Sequence, residues 1–302
     1  MNKFKGELCL FLAALIWGSA FIFQKMGMDH IGPFTFGIFR FGIGALALLP
    51  VIWIYDSVNK KRGRSQVITP INDRQLVLGG LWCGIASFVA GSLQQMGLVY
   101  TTAGKAGFIT AMNIVIVPIL LLFLKRRVSK ATWIGIALAA IGLYLLCITD
   151  GFTLQLGDSF VMLCAVAYAF QILLIDHYAE KVDPIKLSCL QFIAASLLSI
   201  PAAIILETIE LGAILDCAIP ILYVAVLEVS VAFTLQIVGQ RYTPPAIAAI
   251  IMSLESVFAA LCGALLLGET MTMREITGCI LMFIAFIISQ LPDKKTYETN
   301  HK

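Results

Sequence analysis

Ten consecutive apolar stretches of roughly twenty residues, only 13% charged side chains and connectors too short to hold a core of their own predict an all-α integral membrane protein. The expected architecture is ten transmembrane helices forming two inverted five-helix repeats around a central cavity. A helix rising about 1.5 Å per residue needs about 20 apolar residues to cross about 30 Å of hydrocarbon. The stretches that meet this are 7–27, 34–55, 75–99, 103–124, 131–148, 157–177, 184–207, 218–239, 245–267 and 272–290. Lys3 and Lys5 ahead of the first resemble a signal peptide, but the run continues into Gln24 and Lys25 without a small-residue cleavage site, so it reads as a helix. In the third, Gly80, Gly84, Ser87 and Gly91 recur at helical spacing and give a face that a neighbouring helix can approach closely. Pro118 is expected to kink the fourth and free a carbonyl near Ile114. Pro244 and Pro245 mark the start of the ninth.

Composition narrows what such a chain does. With 60% hydrophobic residues and a mean hydropathy of +0.93, a water-soluble domain would lack polar residues for its surface. The longest connectors, 56–74 and 208–217, are too short for a soluble catalytic domain, and the tail 292–302 is polar. Basic residues are distributed unevenly. If the N-terminus is cytoplasmic, seventeen of the 21 Lys and Arg fall on that side, among them Lys60, Lys61, Arg62, Arg64 and Arg74. The positive-inside rule then places both termini in the cytoplasm of a cell (inner or plasma) membrane protein. The basic loops are topology signals, not a nucleic-acid surface. Eight cysteines spread over different spans suit small apolar packing, with neither a disulfide framework nor a metal set. Neither a His-Glu-x-x-His helix nor a phosphate-binding loop nor a serine nucleophile motif is present, so the chain is not expected to be an enzyme or to need a cofactor.

The halves repeat. An offset of 151 pairs Gly6 with Gly157, Trp17 with Tyr168, Pro33 with Pro184, Phe41 with Phe192 and Pro50 with Pro201. Further along, an offset of 142 pairs Gln94 with Gln236, Gly97 with Gly239, Tyr100 with Tyr242, Thr101 with Thr243 and Asn113 with Glu255. Helix order is preserved, so residues 1–148 and 149–291 read as copies of one unit. Five crossings is an odd number, so the second copy enters the membrane upside down. The start of the first half carries Lys3 and Lys5 where the second carries Asp150 and Asp158, in keeping with that inversion. Inverted repeats of this kind enclose a midplane site and alternate its access, the behaviour of a transporter.

Several motifs add a resemblance. Trp17-Gly18-Ser19 with Lys25, Arg40, the run from Gln95 to Tyr100, and Ser253-Leu254-Glu255-Ser256 closing at Leu267-Gly268-Glu269 together resemble the drug/metabolite transporter superfamily, EamA branch. Related members often carry Pro at the position of Ser256 and an aromatic at that of Asn113. The resemblance implies ten helices in two inverted repeats, with helices 1, 3, 4, 6, 8 and 9 around the cavity. It also implies export of amino acids, other small metabolites or drug-like solutes. The partners implied are a small solute, protons, the lipid bilayer and a second copy of the chain in a homodimer. The competing expectation is a passive facilitator or channel, which shares the architecture but needs no titratable pair.

Candidate residues follow from the cost of polarity in hydrocarbon. Glu228 and Glu255 each lie near the middle of consecutive antiparallel spans. A charged carboxylate there costs about 2.5 to 3.5 kcal/mol, so it faces water or a partner. As a pair at matched depth they are expected to carry protons for coupling; alternatively each is a neutral acid bonded to a neighbour such as Gln236 or Thr234. Trp17, Gln94, Asn113, Tyr168, Gln171 and Gln236 are aromatic or amide groups on the helices expected to face the cavity, and suit solute contact. Lys105 joins them as part of a cationic mouth with Lys25 and Arg40, all within about two turns of the outer surface. The structural alternative is that these cations snorkel or pair with Asp29, Glu269 or Glu275.

Overall fold

The computed structural model describes residues 3–61, 73–101, 103–147, 156–267 and 271–289. Arg62, Arg64, Asp150, Glu269 and the tail 292–302 lie outside them. The described chain is helical, without a strand. In order, α1 is Lys3–Met28, α2 Pro33–Lys61, α3 Arg74–Tyr100, α4 Ala103–Ala111, α5 Asn113–Phe123, α6 Lys130–Cys147, α7 Leu156–Tyr178, α8 Pro184–Leu206 and α9 Leu211–Asp216. There follow α10 Ala218–Tyr223, a π-helical segment Val224–Phe233, α11 Thr234–Gln240, α12 Pro245–Met252, α13 Glu255–Leu267 and α14 Met273–Ser289. Nine helical runs among the described residues are long and apolar enough to cross a membrane. The tenth expected crossing coincides with α14, whose 17 residues sit at the short end of the crossing range.

Three of the expected helices are not continuous. The 103–124 stretch breaks at Met112, the 245–267 stretch breaks at 253–254, and the 218–239 stretch widens into the π-helical segment. At the first break the backbone tightens, with Met112 N donating to Ile109 O at 3.1 Å and Val115 N to Met112 O at 2.9 Å. At the second, Leu254 N donates to Ile251 O at 3.2 Å and Ser256 N to Ser253 O at 3.3 Å. Such three-residue spacing is the tighter 3₁₀ pattern, which favours neither a straight axis nor a full set of α-helical bonds. Pro118, the expected kink, lies inside α5 instead.

Helix ends show why the boundaries fall where they do. Asp73 caps α3, accepting from Gln75 N and Leu76 N at 2.9 and 3.1 Å. Asp183 does the same for α8, ahead of Pro184 at the first helical position. Thr272 and Glu275 form a reciprocal capping box at α14. The start of α2 is capped from a distance. The Glu207 carboxylate, just past α8, accepts from Phe34 N and Thr35 N at 2.7 Å and from the Thr35 hydroxyl at 2.6 Å. At the other end of the same helix pair, Lys186 Nζ meets Asp56 Oδ2 at 2.8 Å.

Packing is helix against helix. Extensive pairings join α6 with α14, α3 with α7 and α8, and α2 with α8, while α1 lies against α11, α13 and the π-helical segment. The small face of α3 is used as expected: a Cβ on Gly84 would meet the Gln191 carbonyl oxygen at 2.8 Å, and Gly80 faces Leu190. Large apolar side chains such as Trp53, Phe123, Ile204 and Ile205 are exposed on the outside of the bundle. Water would disfavour such a surface, whereas hydrocarbon accepts it.

Candidate functional site

Within the bundle lies a cavity whose empty space, part of it open to solvent, is about 500 Å³. Its walls come from α1 (Trp17, Phe21, Gln24), α3 (Gln94), α4 and α5 (Thr110, Asn113) and α7 (Tyr168, Gln171, Ile172). The other side is the π-helical segment (Glu228, Phe233), α11 (Gln236), α12 (Met252) and α13 (Glu255). These belong to the six spans that the resemblance places around a cavity.

Two of the lining residues owe their position to the helix breaks. Asn113 is the first residue after the interruption at Met112, and Glu255 the first after that at 253–254. The repeat offset pairs these same two residues. Discontinuous helices at matching places in two halves expose backbone and side chains to a shared site in the membrane interior. Glu228 owes its place to the π-helical segment, whose wider turn disrupts regular α-helical register; such segments recur at functional sites.

The two acids have different surroundings. Glu228, 3% exposed, accepts from Gln24 Nε2 at 2.9 Å and lies 3.8 Å from Arg40 Nη1. Gln24 in turn accepts from Gln95 Nε2. A buried chain of polar groups thus links α3, α1, the π-helical segment and α2, and holds one negative charge against one positive. Arg40 is further seated on the Phe41 ring at 4.5 Å, with a guanidinium nitrogen against Gly91 of α3. Glu255, 8% exposed, has neither a hydrogen bond nor a salt bridge among the described residues. The neighbours anticipated for Glu228, Gln236 and Thr234, are not its partners.

Around them the neutral groups form a partly satisfied lining. Gln94 donates to Thr110 Oγ1 and accepts from the Tyr168 hydroxyl, each at 3.4 Å. Gln171 donates to Ser87 Oγ at 3.0 Å. Trp17 packs edge-on against Phe233 at 5.1 Å, and its indole Nε1 has no partner. Asn113 Oδ1 and Gln236 Oε1 are likewise buried without one among the described residues. In apolar surroundings an unmet polar atom is costly, which makes these atoms places for a ligand to bond.

The cationic mouth does not assemble. Lys25 Nζ donates to the Leu98 carbonyl at 2.7 Å, and Lys105 Nζ lies 3.8 Å from Asp158 Oδ2. Arg40 turns inward to Glu228, not to Asp29 or Glu275. Lys105 was expected at the cavity and is not among its lining residues; the buried Asp158, which also accepts from the Thr101 hydroxyl at 2.6 Å, draws it to the helix end. Conversely, Gln24 and Thr110 line the cavity and were not named as candidates from the sequence. The signal for Gln24 was present, since an amide beside Lys25 within an apolar span has to turn toward the bundle.

A helical bundle coated with apolar side chains and enclosing a polar-lined cavity in its interior is a multi-pass membrane protein built to admit a solute. The model of the EamA-like transporter family matches residues 4–148 and 155–290, and the chain belongs to this family. A transporter of Archaeoglobus fulgidus, described as uncharacterized, is 34% identical over 96% of this chain and 87% of its own length. Two others so described are more distant. The Bacillus subtilis protein YwfM is 24% identical over 98% of this chain and 97% of its own, and one from Clostridium kluyveri 22% identical over 96% and 94%. A crystal structure of a further protein superposes with a TM-score of 0.73 at 15% identity, covering 98% of this chain and 99% of the other, so the fold is shared. A transporter role follows from the family.

Proposed function

We propose that the protein is a secondary active exporter of small metabolites, amino acids or drug-like solutes, working by alternating access between two inverted five-helix halves, 1–148 and 149–291, in the cell membrane with both termini cytoplasmic. The observation that carries this reading is a pair of matched glycine contacts at opposite ends of the bundle. At the end where α1 begins, a Cβ on Gly239 would meet the Gly6 carbonyl oxygen at 2.8 Å, and Leu10 packs on the same glycine. At the other end, a Cβ on Gly97 would meet the Gly157 carbonyl oxygen at 3.0 Å, with Val161 in the place of Leu10. The repeat offsets turn each member of the first contact into its counterpart in the second. Gly6 corresponds to Gly157, Leu10 to Val161 and Gly239 to Gly97.

Helix pairings support the same exchange. The contact of α1 with α11 has its counterpart in that of α7 with α3, and the contact of α1 with α13 in that of α7 with α5. Separate matches of the family model to 4–148 and 155–290 agree. Each glycine pair then seals one side of the cavity. Opening one while the other stays shut is what alternating access requires, and a close, smooth contact without side chains is cheap to part and remake.

Coupling follows from the two acids. Glu228, held by Arg40 and Gln24, anchors the layer; Glu255, without a counter-charge among the described residues, is the group that exchanges a proton. No reaction chemistry is assigned to the site. A passive facilitator would open both seals together and equilibrate its solute.

The seals are tested by propping each apart. Gly97→Val is expected to open the outer seal and Gly239→Val the inner one. In right-side-out vesicles, labelling of a Met252→Cys reporter in the cavity by a membrane-impermeant maleimide should rise in the first variant and fall in the second. Equal labelling in both would remove the two-gate reading, and failure of solute to accumulate under an imposed proton gradient would favour the facilitator.

A further inference from the structure

The charges and hydrogen-bonding atoms of the cavity do not balance within the protein, and the imbalance has a sign. Of the two acids in its wall, Glu228 is matched by Arg40 at 3.8 Å and by Gln24 at 2.9 Å. Glu255 is matched by nothing among the described residues. Glu228 and Tyr168 share the cavity wall with Glu255 and add no positive charge, and the nearby Arg40 guanidinium faces Glu228. The helices α1 and α4 also pack against α13, but Lys25 bonds the Leu98 carbonyl and Lys105 pairs with Asp158. Neither lysine lines the cavity.

Among the unpartnered neutral atoms of the lining, acceptors outnumber donors. Asn113 Oδ1 and Gln236 Oε1 are buried acceptors with no donor among the described residues, beside the single unpartnered donor Trp17 Nε1. A carboxylate and two carbonyl oxygens together call for a ligand that is positively charged and donates hydrogen bonds, because each is costly when left unmet. Trp17, Phe21, Tyr168 and Phe233 add aromatic faces, which attract a cation by their quadrupole and cover an apolar body. A lining that mixes aromatic faces with amide and carboxyl groups suits an organic molecule better than a bare alkali ion. A solute carboxylate, in contrast, would meet no cationic side chain in the described lining.

We propose that the cavity takes an organic monocation, a protonated amine on an aromatic or alkyl body, with Glu255 as its counter-ion and the Asn113 and Gln236 carbonyl oxygens accepting its N–H groups. This rests on the transporter reading of the cavity and adds the solute class. A consequence for coupling is built in. The amine binds the ionised carboxylate, and a proton on Glu255 removes the charge that the amine needs, so amine and proton occupy the site in turn.

Three probes that share one ring and differ in charge test it: 2-phenylethylamine, L-phenylalanine and 3-phenylpropanoate, titrated calorimetrically against the purified full-length protein. The amine should bind about tenfold or more tightly than the zwitterion and the anion, in line with the cost of leaving a buried charge unpaired. Its affinity should fall as the pH is lowered and the carboxylate takes up a proton while the amine stays charged. Glu255→Gln should weaken amine binding about tenfold or more and abolish the pH dependence. Asn113→Asp, which adds a second acid at the matching break, should tighten it, and this arm decides the matter if Glu255→Gln does not fold. Zwitterion binding as tight as the amine's, unchanged amine affinity in Glu255→Gln, or saturation of the site by sodium alone would overturn the proposal. The outcomes separate from those of the transporter reading in proteoliposomes. Binding of the amine without its movement would sink transport and spare the solute class, whereas movement of phenylalanine with exclusion of the amine would do the reverse.

Discussion

Glu228 and Glu255 line one cavity from consecutive spans and are both nearly sealed from solvent, yet one is embedded in a polar chain of four helical segments and the other has no such partner among the described residues. The difference lies in the neighbouring helices, since nothing in the local sequence of either acid prescribes it. Glu228 meets Arg40 because the α2 and α8 pair presents its polar residue to the π-helical segment. Glu255 lines the cavity from the first position after the break at 253–254. A buried acid with a counter-charge holds structure together, and one without awaits a ligand or a proton.

Substitutions put this contrast to the test. The largest effect is expected from Arg40→Gln, which leaves Glu228 buried without its cation at a cost of about 3 to 5 kcal/mol. The yield of monodisperse protein and its melting temperature should both drop sharply, and the double variant Arg40→Gln with Glu228→Gln should recover most of the loss. Glu228→Gln alone is next, at about 2 kcal/mol, because its amide still accepts from Gln24 while Arg40 loses its counter-charge. The pH profile of transport should survive it, and a profile lost in this variant would move the coupling role to Glu228. Gln95→Ala trims only the end of the chain, and about 0.6 kcal/mol is expected in a thermal unfolding series. Glu255→Gln should be the smallest in stability, within about 0.5 kcal/mol of the parent, while abolishing proton release on solute binding. An Arg40-sized destabilisation in Glu255→Gln would show that this acid, too, has a structural partner.

Much of this site was legible in the sequence for one reason: an amide, acid or indole within an apolar span has to face something other than lipid. Trp17, Gln94, Asn113, Tyr168, Gln171, Gln236 and both acids reached the cavity on that argument. It fails where a polar group has a partner distant in sequence. Lys105 was read toward the cavity because Asp158, far along the chain, carries no sign that it will sit beside α4. Arg40 was offered partners near the surface for the same reason. The helix breaks were hidden differently. Neither Thr110-Ala111-Met112-Asn113 nor Ser253-Leu254-Glu255 contains a glycine or proline, so propensity favours an unbroken helix, and only the offset linking Asn113 to Glu255 pointed at the place. The π-helical segment Val224–Phe233 has no composition signal of its own and arises from packing.

The α2 and α8 pair is fastened at both ends, by the Glu207 carboxylate over the first amides of α2 and by Lys186 against Asp56. A pair of rods pinned twice can neither slide nor splay. If the two mouths of the cavity open in turn, as proposed, this pair is the axle about which they would pivot, and opening on one face and closing on the other would be two readings of a single turn. Cutting one pin, as in Glu207→Gln, would loosen the bearing before it touched the cargo.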